Sequence, residues 1–167
     1  MGKTIEGLKA AFAGESQANR KYLAFADKAE KDGFKQIAKV FRAAAAAETV
    51  HAHNHLRAMG GIKSTKENIK AAIEGEHYEF TEMYPEFIAN AKDEGDKQAL
   101  RTFEWANEVE KIHHELYEKA LKAAEADDDL EEQPISICVV CGMTVEGEVP
   151  EKCPVCGAAA SKFETVD

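Results

Sequence analysis

The sequence predicts a mainly α protein, a four-helix bundle followed by a small domain that holds a metal ion on four cysteines. Three observations predict this. Residues 4–126 consist largely of good helix formers, interrupted by turn residues at three places. The helical part repeats itself at an offset of 61 to 62 residues. All four cysteines fall in the last 30 residues, as two Cys-x-x-Cys pairs.

Turn signals at Asp32-Gly33, at Gly60-Gly61 to Ser64 and at Asp93 to Asp96 divide the segment into helices over about 5–31, 34–58, 66–92 and 96–126. Short connections between long helices indicate a bundle. Pro85, the one proline of this segment, lacks an amide hydrogen and is expected to kink the third helix. The run DDDLEEQP carries five like charges and a proline, and reads as a linker. The expected organisation is a bundle over 1–126, an acidic linker over 127–134 and a cysteine domain over 135–167.

Composition narrows the function. The chain has 167 residues, 44% hydrophobic and 31% charged, which suits one substantial core with a small appendage. The net charge of −10 is uneven: residues 127–167 hold 10 acidic and 2 basic side chains, a balance of −8. With no basic patch, nucleic acid is not an expected partner. No apolar run is long enough to span a bilayer, and the N-terminal residues lack the apolar core of a signal peptide. The expected location is the cytoplasm, where Cys-x-x-Cys pairs serve as metal ligands or redox thiols.

The repeat points to the chemistry. AEKDGFKQIAKVF (29–41) aligns with AKDEGDKQALRTF (91–103) at an offset of 62, and FAGES (12–16) with IEGEH (73–77) at 61. Two copies of a helical hairpin follow, each with one Glu on its first helix and Glu-x-x-His on its second. The sets are Glu15, Glu48 and His51 in the first copy, and Glu76, Glu110 and His113 in the second. Spacing of i, i+3 places each Glu and His on one helix face. Phe41 and Ala44 share that face in the first copy, and Phe103, Ala106 and Tyr117 in the second, so it is expected to be buried. Four carboxylates in a core without Arg or Lys on the same stripes call for cations. One Glu from each of two helices plus Glu-x-x-His from two more is the ligand set of ferritin-like di-iron and di-manganese bundles, and carboxylate with imidazole suits either metal. Glu79, where the first copy has Ala18, breaks the repeat and adds a seventh candidate ligand. Tyr22 and Tyr84 lie near the same faces, where their hydroxyls are either partners of ligand carboxylates or ordinary core. His53, His55, His77 and His114 have no repeat-matched counterparts and read as surface or supporting residues.

Cys138, Cys141, Cys153 and Cys156 form two knuckles, each followed by glycine. Four thiolates so spaced make a tetrahedral site for zinc or for one iron. A redox-active neighbour that takes electrons singly favours iron.

These motifs together resemble rubrerythrin over essentially the whole chain. FAGESQANRKY (12–22), AETVHAHNH (47–55), EGEHYEFTEMYPEF (74–87), VEKIHHELY (109–117) and the CVVCG and CPVCG knuckles carry the likeness. The resemblance implies a ferritin-like bundle with a non-haem di-iron centre, then a rubredoxin-like Fe(Cys)4 domain. Zinc is a possible substitute in either site. It implies reduction of hydrogen peroxide to water, with electrons passing through the Fe(Cys)4 iron from rubredoxin or an NAD(P)H-linked reductase. It also implies Glu15, Glu48, His51, Glu76, Glu79, Glu110 and His113 as di-iron ligands. Glu48 and Glu110 would bridge, Glu79 and His51 would exchange at one iron with oxidation state, and Tyr22 and Tyr84 would lie near the centre. The first knuckle has Val where rubredoxins often have Pro, which leaves its ligands unaffected. Ferroxidase or O2-using oxidase activity, plain iron binding, and a structural helical protein with a zinc ribbon are the competing readings.

In such a bundle the second and third helices run parallel, so their connection must travel the bundle's length. The helical overhangs beyond Glu48 and before Glu76 require about 30 Å of axial travel. The connection reaches about 26–29 Å when fully extended. A homodimer with swapped hairpins is therefore expected, in which a tethered cysteine domain gains reach to a partner's di-iron site.

Overall fold

The computed structural model describes residues 2–166. It forms two compact units, one ending at Lys63 and the other beginning at Ser64.

The first unit is a helical hairpin of α1 (Lys3–Lys31) and α2 (Lys35–Ala58). Its tightest contact is made by small side chains. Ala26, Ala29, Ala38, Ala45 and Ala52 are all buried, and Ala38, Ala45 and Ala52 recur every seven residues along α2, a spacing that keeps one stripe against a neighbouring helix. Alanine lets the two backbones approach closely. Asn19 crosses the seam and donates to the Ala45 carbonyl at 2.7 Å and to Thr49 Oγ1 at 2.8 Å.

The second unit begins with α3 (Thr65–Tyr78), a π-helical turn (Glu79–Met83) and α4 (Tyr84–Glu94), and continues through α5 (Lys97–Glu125). Ser64 starts α3 through a reciprocal capping box with Glu67. Asp96 starts α5 by accepting from the amides of Gln98 and Ala99, both at 3.0 Å.

The predicted helices match within a few residues, apart from the π turn. It has a source in the sequence. Between Glu76 and Tyr84 the repeat offset rises from 61 to 62, so the second copy holds one more residue than the first. A π turn accommodates one extra residue in a continuing helix. Pro85 follows in the first turn of α4, where a missing amide hydrogen costs least.

Past the duplication, both hairpins carry the same aromatic triad. Tyr22, Phe25 and Phe41 have ring centroids 5.7–6.4 Å apart. Tyr84, Phe87 and Phe103, each 62 residues on, lie 5.5–6.4 Å apart.

The cysteine region forms a three-stranded antiparallel sheet in the order β2-β1-β3, from β1 (Ile135–Cys138), β2 (Thr144–Glu146) and β3 (Phe163–Thr165). It packs on α5 of its own chain. Val109 of α5 is 2% exposed in a core shared with Cys138, Met143 and Cys153, flanked by Ile112, Val145 and Phe163. Lys119 of α5 pairs with Glu146 of β2 at 2.6 Å. The linker thus leads to a seat on the same chain's helix.

Candidate metal centres

In the first unit α1 supplies Glu15, and α2 supplies Glu48 and His51 one turn apart. Their ligating atoms lie within 4.8 Å of one another. His51 Nδ1 is 3.1 Å from Glu48 Oε2 and 3.9 Å from Glu15 Oε1. In the second unit Glu76 of α3 meets Glu110 and His113 of α5 under the same limit. His113 Nδ1 is 2.8 Å from Glu110 Oε2 and 3.9 Å from Glu76 Oε1. The two trios therefore have matching geometry, as the repeat predicts.

Burial corrects one expectation. The ligand stripes are half-buried within each unit rather than fully buried, and His51 is exposed. The deepest stripe of α2 is the alanine row beside Glu48. In α5 it is Val109, under the cysteine domain. Two helices cover only one side of a carboxylate pair, so each unit offers an open face.

Electrostatics identify what the trios are suited to hold. Among the described residues no Lys or Arg ion pair reaches these carboxylates; the pairs they make are with His51 and His113. Burial, with Glu110 beside it, pushes Glu76 up to about 7. Glu79 is raised by burial and by the negative charge of Glu110. The Glu110 carboxylate holds the His113 proton and raises that group in turn. Like-charged carboxylates that share protons in the absence of basic partners are a donor set fitted to divalent or trivalent cations.

Glu79 lies in the π turn and is acted on by Glu110 and His113, which places it with the second trio. Tyr84 belongs there too. Burial and then Glu110, Glu79 and Glu76 raise its phenol. Tyr22 packs on Phe25 and Phe41 in the first unit. Of the unmatched histidines, His77 and His114 meet Phe80 edge-on, with ring centroids 5.3 and 5.4 Å away.

The four thiols converge on the cysteine domain's core. Cys138 Sγ and Cys156 Sγ are 3.7 Å apart, and Cys141 Sγ and Cys153 Sγ 3.6 Å. Metal–sulfur bonds of about 2.3 Å in a tetrahedron give sulfur–sulfur edges of about 3.8 Å, so the pocket already fits one metal ion. Gly142 and Gly157 turn the knuckles with φ of 88° and 75°, a region that side chains disfavour. Burial pushes the Cys153 thiol up, yet backbone groups of Cys156 and Val155 with the neighbouring thiols pull further and leave it at about 7. Cys141 is pushed far above the usual thiol range, chiefly by burial. One thiol that ionises readily beside others that resist is what a cation converts into a thiolate set.

Sequence reasoning missed Thr144 and Val109. Thr144 Oγ1 lies 3.0 Å from His113 Nε2, and neither Thr144 nor Val109 carries a motif signal.

Two hairpins that carry carboxylate–imidazole trios, followed by a four-thiolate sheet domain, define a ferritin-like carboxylate metalloprotein with a rubredoxin-like appendage. Comparison with known proteins agrees. The Rubrerythrin family model matches residues 6–121, and the model for the rubrerythrin rubredoxin-like domain matches 137–164. The chain belongs to the rubrerythrin family. It is 35% identical to rubrerythrin-2 of Clostridium acetobutylicum, over 96% of this chain and 95% of that one. It is 37% identical to nigerythrin of Nitratidesulfovibrio vulgaris, over 93% and 83%. Among solved structures, fully reduced, all-ferrous nigerythrin aligns with a TM-score of 0.59 at 34% identity, covering 99% of this chain and 88% of that one. Among the described residues no helix is long and apolar enough to cross a membrane.

Proposed function

We propose that this protein is a non-haem di-iron peroxidase that reduces hydrogen peroxide to water, fed by electrons through its cysteine-bound iron. Glu15, Glu48, His51, Glu76, Glu79, Glu110 and His113 would hold two irons, and Cys138, Cys141, Cys153 and Cys156 a third. When bound, the two irons would supply two electrons that, with two protons, convert hydrogen peroxide to two waters, and the cysteine-held iron would supply the electrons that restore them. Glu79 and His51 would be the ligands that exchange at one iron, Glu48 and Glu110 would be shared between the two, and Tyr22 and Tyr84 would lie beside them. Rubredoxin or an NAD(P)H-linked reductase is the proposed donor. The proposed location is the cytoplasm, where thiols are kept reduced and available to a metal.

One observation carries this reading. His113 faces Glu110 through Nδ1 at 2.8 Å and the cysteine domain through Nε2, 3.0 Å from Thr144. A side chain shared by the carboxylate site and the thiolate domain is the connection that an electron relay needs and a store of iron does not.

The proposed assembly is a homodimer with swapped hairpins. α2 runs 10 residues past Glu48 and α3 starts 11 before Glu76, together about 31 Å of axial travel if the ligands share one level. The seven steps from Ala58 to Thr65 reach about 23–25 Å. A site completed by a second chain's hairpin removes that conflict.

The test is a visible spectrum of protein purified without added metal. A red Fe(Cys)4 chromophore that reductant bleaches and peroxide restores, faster than O2 does, supports the reading. Restoration by O2 alone indicates an oxidase. Binding of excess iron without turnover indicates storage.

A further inference from the structure

We infer that Thr144 is a positioning residue that fixes the tautomer of His113, and thereby makes metal binding at the second trio depend on docking of the cysteine domain. This rests on the metal reading above and extends it. Thr144 lies on β2 and His113 on α5, so the bond between them crosses from one domain to the other.

The hydroxyl's own geometry sets the direction of that bond. Thr144 Oγ1 donates to the Gly142 carbonyl at 3.3 Å. With its proton committed there, the oxygen has only lone pairs to offer His113 Nε2, 3.0 Å away. Nε2 faces that acceptor and carries the hydrogen. Nδ1, 2.8 Å from Glu110, shares a proton with that carboxylate when no metal is bound, and it is the nitrogen whose lone pair a cation at the trio would take in place of that proton. A metal-binding imidazole needs this arrangement, because the hydrogen bond at the far nitrogen fixes both ring orientation and basicity.

The repeat supplies an internal contrast. His51 matches His113 and approaches Glu48 at 3.1 Å through Nδ1. Among the described residues its Nε2 has no hydrogen-bond partner, and its side chain is 53% exposed against 28% for His113. One imidazole is held by the cysteine domain and its counterpart is not. The lock therefore acts on one imidazole of the repeat-matched pair.

The experiment compares full-length parent, Thr144→Val and Thr144→Ser, each with and without zinc as a diamagnetic probe. The His113 ring is read by 1H–15N NMR. Parent and Thr144→Ser should show a slowly exchanging Nε2–H. Thr144→Val should lose that protection and bind zinc at the carboxylate trio about 10-fold more weakly, the scale of losing a ligand's outer hydrogen bond. The cysteine-site absorbance, with cobalt in place of zinc, should be the same in all three. Unchanged ring protection with zinc affinity within twofold in Thr144→Val would overturn the inference, as would failure of Thr144→Ser to rescue. The ring readout needs no metal. A parent protein that binds zinc only at the cysteines would therefore overturn the metal reading separately.

Discussion

Tyr84 donates its backbone amide to the Glu79 carbonyl, five residues back, a π-type bond in the middle of an otherwise α-helical run. The extra residue it accommodates marks where the two hairpins stop being equivalent. Glu79 stands in that turn, whereas its first-copy counterpart is Ala18 in an unbroken helix. Helix irregularity and extra ligand therefore coincide.

Glu79→Ala should leave both metal sites loaded, because each trio keeps its three ligands. Peroxide turnover should fall on the order of 10-fold or more, comparable to losses when a partner of a metal ligand is removed. Metal analysis with stopped-flow peroxide reduction checks both halves. Unchanged turnover would make Glu79 a bystander.

Glu76 gives a pH signature in protein stripped of metal. Its carboxyl sits at about 7 when folded, against an ordinary 4.5. Below 4.5 both states are protonated. Between 4.5 and 7 the folded state keeps a proton that the unfolded chain has lost, so the residue's contribution to stability declines as pH rises and levels off above 7. Glu76→Gln removes this decline. The melting temperature of the variant relative to the parent should therefore climb from pH 4.5 to 7. A difference independent of pH would contradict the assignment.

Swapping has a complementation test. Co-expressed Glu48→Ala and Glu110→Ala chains each lack one trio's carboxylate. In a swapped heterodimer one site combines both damaged hairpins and the other both intact ones. Turnover near half of the parent value should return in the mixed dimer, while each homodimer stays inactive. An inactive mixed dimer would mean that each site is built within one chain.

Val109 anchors the cysteine domain. It is 2% exposed and packs with Cys138, Met143 and Cys153. Val109→Ala removes two buried methyl-sized groups at about 0.8 kcal/mol each plus a cavity term, about 2 kcal/mol in all. Denaturant unfolding should show that loss. Hydrogen exchange should quicken across β1 and β2 before it does in α1 and α2.

The sequence by itself determined the chemistry, because metal ligands are encoded as residue types at fixed spacing. Two Glu-x-x-His motifs with Glu15 and Glu76, all in register with a duplication, and two Cys-x-x-Cys knuckles name ten candidate donors without coordinates, and helix periodicity places the Glu and His of each motif on one face. Even the π turn left a trace, as a one-residue slip in the repeat. What tertiary structure alone decided is which faces pack together within each unit. The expectation of buried ligand stripes gave way to a buried alanine row in α2, because depth depends on which helix packs against which and a periodic pattern does not name the neighbour. The contact of Thr144 with His113 spans 31 residues. No local rule encodes it, since a hydroxyl's role is set by the groups that a distant segment brings within 3 Å.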